Sequence, residues 1–398
     1  MKRLLRKFIP TFLLIWYHFL LTFFGAVIYR FPARKLKVIG VTGTNGKSTT
    51  VEFITKIFEE AGINIASQSS IRFKIKDKEW PNTYKMTMPG RFFIQKFLRQ
   101  AVNAGCQYAV LEVTSEGVKQ HRHRFINFET AVFTNLSPEH IEAHGGFENY
   151  KKAKGELFKA TKGTHIINLD DKNAEYFLQF PAKKKITYGL NQGDINIQNT
   201  QFKLKLLGDF NNYNALAAIC VGSAYGINLE ICKRAVEKIE GIPGRMEMVI
   251  SEPFKVFVDY AFTPNALEKV YQTVKPQSKK MICVLGACGG GRDKWKRKVL
   301  GEIAAKYCDE IIIANEDPYD ENPEKIIEDV IKGTSGKGKK VLDRREAIGE
   351  ALKLAKEGDS IIMTGKGCEP WICLANGKKI PWDEKKVVLE ELAKISER

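Results

Sequence analysis

Short apolar runs recur along this chain, each followed by a stretch with helical spacing of its apolar positions. Residues 37–41 (Lys-Val-Ile-Gly-Val), 108–113 (YAVLEV), 130–136 (TAVFTNL) and 164–170 (THIINLD) have the character of buried strands. Residues 49–54, 91–103 and 147–160 have the spacing of amphipathic helices between them. Such alternation predicts an α/β fold with a parallel sheet covered on both faces. A helix-rich stretch over 211–239 ends at GIPGRME, a Gly/Pro turn that serves as a domain boundary. Strand-like runs then restart at 254–261, 281–287, 310–316 and 360–367, which predicts a second, open α/β domain.

Ahead of the first strand lies FIPTFLLIWYHFLLTFFGAVIY, residues 8–29, about 33 Å long as a helix. That length permits a membrane span. Against spanning stand His18, Trp16 and Tyr17 near its middle and basic residues on both flanks, which suit a helix lying in the lipid interface. A helix packed on the protein itself is a third alternative. Of the net charge of +17, eight Lys/Arg and no acid fall within residues 1–37, so the basic excess gathers beside this apolar segment. Its distribution argues for a membrane and against nucleic acid. The expected layout is therefore 1–36 as a membrane-associating helix, 37–241 as a first α/β domain and 242–398 as a second. Eight cysteines show no metal-binding spacing and are expected to be reduced, mostly in the core.

Residues 38–50, VIGVTGTNGKSTT, miss the usual phosphate-loop pattern by one position, because Val41 stands where its first Gly belongs. The physics of that pattern is intact. Gly43 and Gly46 free backbone N–H groups to face an anion at a helix start, Lys47 reaches phosphate oxygens, and Ser48 offers its hydroxyl to magnesium. Glu112 ends one strand-like run and His140 follows another, where a parallel sheet places its ligands. Lys154, in YKKAKGELF, has the setting of a solvated helix face.

GVTGTNGKSTT is similar to the variant phosphate loop of Mur ligases and folylpolyglutamate synthases. The segments LEVTSEGVKQHR, FTNLSPEHIEAHGGFENYKKAKGELF, GDFNNYNALAA, GRME, VDYAFTPNALE, GGRDKWKR and TGKGCE narrow the choice. Their order and spacing resemble the Mur ligases of the UDP-N-acetylmuramoyl-tripeptide synthetase branch, over roughly residues 37–390. The resemblance implies a P-loop parallel-sheet ATPase domain followed by a Rossmann-like α/β ligase domain. It implies ATP-dependent amide-bond formation through an acyl phosphate, with a muramoyl-peptide precursor and a free amino acid as substrates. Gly43, Thr44, Asn45, Gly46, Lys47, Ser48, Thr49, Asn211, Arg245 and Asp259 match nucleotide contacts. Ser48, Glu112, His140 and Lys154 match the magnesium site, Lys154 as a carbamylated lysine. Thr114, Ser115 and Arg122 match acceptor contacts, and Arg292, Asp317, Gly365 and Glu369 match contacts to the incoming amino acid.

Departures qualify this. Phe262 and Cys368 stand where the family has histidines, and Glu316-Asp317-Pro318-Tyr319 stands where diaminopimelate-adding enzymes carry Asp-Asn-Pro-Arg. Four acids within Asn315–Glu321 and the missing arginine favour lysine or another basic amino acid over meso-diaminopimelate. Family members begin with a domain that grips the uridine nucleotide, and only the basic apolar segment precedes the loop here. Either a partner protein supplies that grip or the acceptor is carried on a lipid at the inner face of the membrane. A folylpolyglutamate synthase-like ligase and a non-catalytic, membrane-attached nucleotide-binding module are the alternatives.

Overall fold

The computed structural model describes residues 11–396 and divides into two compact units. Unit one comprises residues up to 136, 148–204 and 211–238; unit two comprises 137–147, 205–210 and 239 onward. The divide interleaves in sequence, and the segment carrying His140 belongs to unit two.

Unit one is built on an eight-stranded sheet: β1 Lys37–Thr42, β2 Ile65–Gln68, β3 Arg72–Ile75, β4 Lys78–Pro81, β5 Tyr108–Glu112, β6 Phe128–Phe133, β7 Thr164–Asn168 and β8 Lys184–Tyr188. Their spatial order is β4-β3-β2-β5-β1-β6-β7-β8, parallel except for the antiparallel β2–β3–β4 edge. β1 is central, with Val41 beside Glu112 of β5 and Thr42 beside Phe133 of β6. Whatever follows β1, β5 and β6 therefore meets at one sheet end. Gly40 lets the helix Phe147–Ala160 approach closely: a Cβ there would lie 2.9 Å from Leu157 and Phe128.

Unit two holds β9 Glu247–Ile250, β10 Lys255–Val258, β11 Met281–Leu285, β12 Glu310–Ile313, β13 Gly338–Lys340 and β14 Ser360–Met363. Their order is β13-β12-β11-β14-β10-β9, with only β9 antiparallel. Met281, Cys283 and Leu285 join one buried apolar cluster, and Ile282 and Val284 join another. Side chains of a strand alternate between faces, so this division shows a sheet covered on both sides. A small hairpin pairs β15 Trp371–Cys373 with β16 Lys379–Pro381.

The helix Thr11–Ile28 precedes β1. Phe8, Ile9 and Pro10 of the apolar segment, and the cations before them, lie outside the described residues. Among the described residues no helix is long and apolar enough to cross a membrane, so the spanning alternative gains no support. All eight cysteines are free, and six are buried.

Candidate active site

The loop after β1 needs its two glycines. Gly43 has φ +153°, and a Cβ would fall 1.9 Å from the Thr134 hydroxyl; Gly46 has φ +82°, and a Cβ would fall 2.2 Å from Asn214 Oδ1. Gly46 ends the loop and the helix Lys47–Glu60 begins, so the N–H groups of its first turn face the loop. The loop is held from β6. Thr44 N donates to the Asn135 carbonyl (2.8 Å), Asn45 N to Asn135 Oδ1 (2.9 Å), and the Thr134 hydroxyl to the Asn45 carbonyl (2.7 Å).

Glu112 is buried at the end of β5. Its Oε2 accepts from the Ser48 hydroxyl at 2.8 Å and from Ser70 N at 2.8 Å, while Lys47 Nζ lies 3.9 Å from Oε1. Lys47 Nζ also donates to the Thr44 carbonyl at 2.8 Å. Thr49 is buried in the first turn of the helix. Lys154 overturns its surface reading: it is 2% exposed, with Nζ donating to the Gly43 carbonyl at 2.6 Å and lying 4.6 Å from the Tyr150 ring centre. Asn211 is buried and accepts from Asn214 Nδ2.

Thr114 caps the short helix Ser115–Lys119 by accepting from Gly117 N, and Ser115 is buried. Arg122 donates to the Met88 carbonyl and to Gln120 Oε1, and burial together with Arg91 pulls its pKa down to about 10.

In unit two His140 is half-buried, with φ +56°, at the start of the helix Ile141–His144. Asp293 fixes that helix by accepting from Ile141 N and Glu142 N at 3.1 and 3.0 Å. Asp259 accepts from Met246 N (2.7 Å) and Ala261 N (2.6 Å), and burial raises its pKa against the opposing pull of Arg245. The Arg245 guanidinium lies over the Tyr260 ring, 4.6 Å from its centre.

Two of the amino-acid candidates, Asp317 and Glu369, meet one buried ammonium. Lys366 Nζ donates to Asp317 at 3.1 and 3.2 Å, to Glu369 at 3.0 Å and to the Trp371 carbonyl at 2.6 Å. Glu369 also accepts from the Tyr260 hydroxyl. Gly365 has φ +99°, and a Cβ there would meet Glu316 Oε2 at 2.3 Å. Cys288, Glu316 and Asp317 offer atoms within 4.8 Å of one another, but Lys366 already neutralises Asp317, an ion pair in place of a metal site. Burial would lower the Arg292 pKa, while Cys288, Tyr260, Tyr319 and Glu139 raise it overall. Ser70, Asn135, Asn214 and Lys366 were not singled out from sequence.

The family profile "Mur ligase middle domain" matches residues 41–222, and "Mur ligase, glutamate ligase domain" matches 244–367. A Clostridium acetobutylicum protein named UDP-N-acetylmuramoyl-L-alanyl-D-glutamate--2,6-diaminopimelate ligase 1 is 36% identical over 394 residues, covering 93% of this chain and 81% of that protein. The chain belongs to the Mur ligase family. A solved structure of a UDP-N-acetylmuramoyl-L-alanyl-D-glutamate--2,6-diaminopimelate ligase superposes with TM-score 0.60 at 30% identity, covering 91% of this chain and 79% of that one. Mycobacterium tuberculosis folylpolyglutamate synthase gives TM-score 0.69 at 17% identity, covering 86% and 91%, a likeness of fold alone. Membership makes the chain an ATP-dependent ligase, and the loop geometry fits that nucleotide. Two positions that exclude even a Cβ border a helix N-terminus, as close approach by phosphate requires. The Ser48 and Glu112 oxygens, 2.8 Å apart, are the donor types a hard divalent cation such as magnesium takes.

Proposed function

We propose that this Mur ligase joins an amino acid to the peptide carboxylate of a muramoyl-peptide peptidoglycan precursor, in the cytoplasm at the inner face of the membrane. The observation that carries the chemistry is the contact of Ser48 and Lys47 with the buried Glu112, beside a loop that only glycines at 43 and 46 can form. Bound ATP would supply the phosphoryl group that activates the acceptor carboxylate, with magnesium neutralising charge. The protein's part is positioning and electrostatics. Backbone N–H groups of the loop would hold phosphate oxygens, Lys47 would follow charge as it moves toward the leaving group, and Ser48 and Glu112 would fix the metal.

Lys154, after carbamylation by carbon dioxide, would complete the metal's surroundings in unit one, and His140 matches the family's remaining magnesium position. In unit one Asn211 would contact the nucleotide, and Thr114, Ser115 and Arg122 the acceptor; in unit two Arg245 and Asp259 match the family's nucleotide contacts. Arg292, Asp317, Gly365 and Glu369 would orient the incoming amino acid so that its amine attacks and phosphate departs.

The test is phosphate release by the purified full chain with ATP, magnesium, a muramoyl dipeptide and a panel of amino acids. Release should require both co-substrates and yield a new amide, and Lys47→Ala should abolish it. Amino-acid-independent release with no amide, on nucleotide- and lipid-linked acceptors alike, overturns the reading.

A further inference from the structure

The helix Thr11–Ile28 has two faces of opposite fate. On one, Thr22 and Ala26 are buried, His18 meets Arg91, and the Phe19 ring packs 5.4 Å from that of Phe125. Gly25 runs against the helix Arg91–Asn103, where a Cβ would sit 3.5 Å from Phe92 Cα. Past its end, Arg99 donates to the carbonyls of Tyr29 (2.8 Å) and Arg30 (3.1 Å). The helix is thus clamped lengthwise onto unit one. Its other face is an apolar stripe at helical spacing: Leu13, Trp16, Tyr17, Leu20, Phe24 and Val27, from 43% to 60% exposed. Arg30, Arg34, Lys35 and Lys37 are exposed just beyond it, and residues 1–37 contain no acid.

We propose that this stripe inserts into an anionic lipid surface with the helix lying in the membrane plane. A spanning helix would carry the surface of unit one packed along it into the hydrocarbon, whereas an in-plane helix needs lipid on one side only. The uniform positive charge selects the partner. A second copy of this chain would bring the same cations together, while an anionic bilayer supplies the opposite sign along with apolar depth. The covered face touches His121 and Phe125, which flank Arg122, so lipid binding holds the candidate acceptor turn at the membrane surface. This deepens the membrane part of the proposed function and leaves its chemistry untouched.

The test floats the full chain with vesicles of phosphatidylglycerol and phosphatidylcholine, and with phosphatidylcholine alone. The wild type should float with the anionic vesicles and be released by alkaline carbonate. Leu20→Asp with Phe24→Asp should cut the floating fraction at least tenfold while keeping phosphate release on a soluble acceptor, which shows an intact fold. Arg34→Gln with Lys35→Gln should lose the preference for anionic lipid. Flotation unchanged by the double aspartate variant, no flotation of the wild type, or resistance to carbonate each overturns the proposal. So does a wild-type dimer in solution that the aspartates dissociate, because the stripe then covers a second copy. Lipid binding without amide formation would instead defeat the ligase reading alone.

Discussion

The Lys154 ammonium donates to the carbonyl of Gly43 across 2.6 Å, tying the helix Phe147–Ala160 to the first residue of the glycine loop. Its neighbours Lys151 and Lys152 are only half-buried or more exposed, so three lysines in one short stretch have two different roles. Replacing Lys154 by Ala leaves a buried carbonyl short of a donor, at a cost of about 1–3 kcal/mol. The loss in turnover should be larger than stability explains, about a hundredfold or more, because the carbamate proposed to help hold the metal is removed as well. Phosphate release and thermal melting measured on the same variant separate the two effects. Mass spectrometry of the wild type should find one carbon dioxide on Lys154, and near-normal turnover of Lys154→Ala would refute its role.

Gly46→Ala should be worse than its size suggests. The added methyl would collide with Asn214 Oδ1 at 2.2 Å, and φ +82° strains any L side chain, by about 1–3 kcal/mol for the backbone alone. The expected outcome is loss of ATP binding by calorimetry with the rest of the chain folded by circular dichroism. Coupling Gly46→Ala to Asn214→Ala should restore part of the binding, since the clash is removed and the strain remains.

The strands of both sheets that carry the chemistry were legible because they are central, and a central parallel strand must be apolar on both faces. β4 and β13 carry no such signal: Lys78-Glu79-Trp80-Pro81 and Gly338-Lys339-Lys340 are mostly exposed edge strands, paired on one side only. Glu112 and the loop could be placed from strand ends, since β5 and β1 are neighbours. The burial of Lys154 could not. A lysine's environment is set by what packs across from it, here Gly43 and Tyr150, both distant from the pattern of its own helix. Ser70 escaped for the same reason, reaching Glu112 from the turn between β2 and β3.

His123 makes stability depend on mild acid. Burial, with Arg124 adding repulsion, pushes its pKa down from 6.5 to about 4, and its buried Nδ1 has no hydrogen-bond partner. Above 6.5 the ring is neutral in both states. As pH falls from there toward 4 the unfolded chain takes up a proton that the folded chain refuses, so stability declines, by about 3 kcal/mol at the most. His123→Gln should flatten that part of the profile. Urea midpoints at about pH 7 and about pH 4.5 measure it, and an equal decline in the variant would assign the acid sensitivity elsewhere.

We expect the choice of amino acid to turn on Tyr319, which stands where the resemblance places the arginine of diaminopimelate-adding enzymes. It is half-buried with φ +52°, and its backbone N donates to the Cys373 carbonyl at 3.0 Å, so the loop is fixed and the side chain alone differs. Around it, Lys366 is committed to Asp317 and Glu369, while Glu316 Oε2 is buried without a hydrogen-bond partner and burial raises its pKa. An incoming carboxylate would meet these acids, with Arg292 as the nearby cation, whose charge Cys288, Tyr260, Tyr319 and Glu139 favour. A side-chain ammonium would instead be attracted. In a competition assay the wild type should therefore favour lysine over meso-diaminopimelate. Tyr319→Arg introduces no new backbone strain, because tyrosine already occupies the left-handed conformation, and it supplies a planar fork for the second carboxylate. It should shift the ratio of kcat/KM toward meso-diaminopimelate by about tenfold or more, the worth of one charge-assisted hydrogen bond. A wild type that prefers meso-diaminopimelate, with a Tyr319→Arg ratio unchanged, would place selection on Arg292 and remove it from Tyr319.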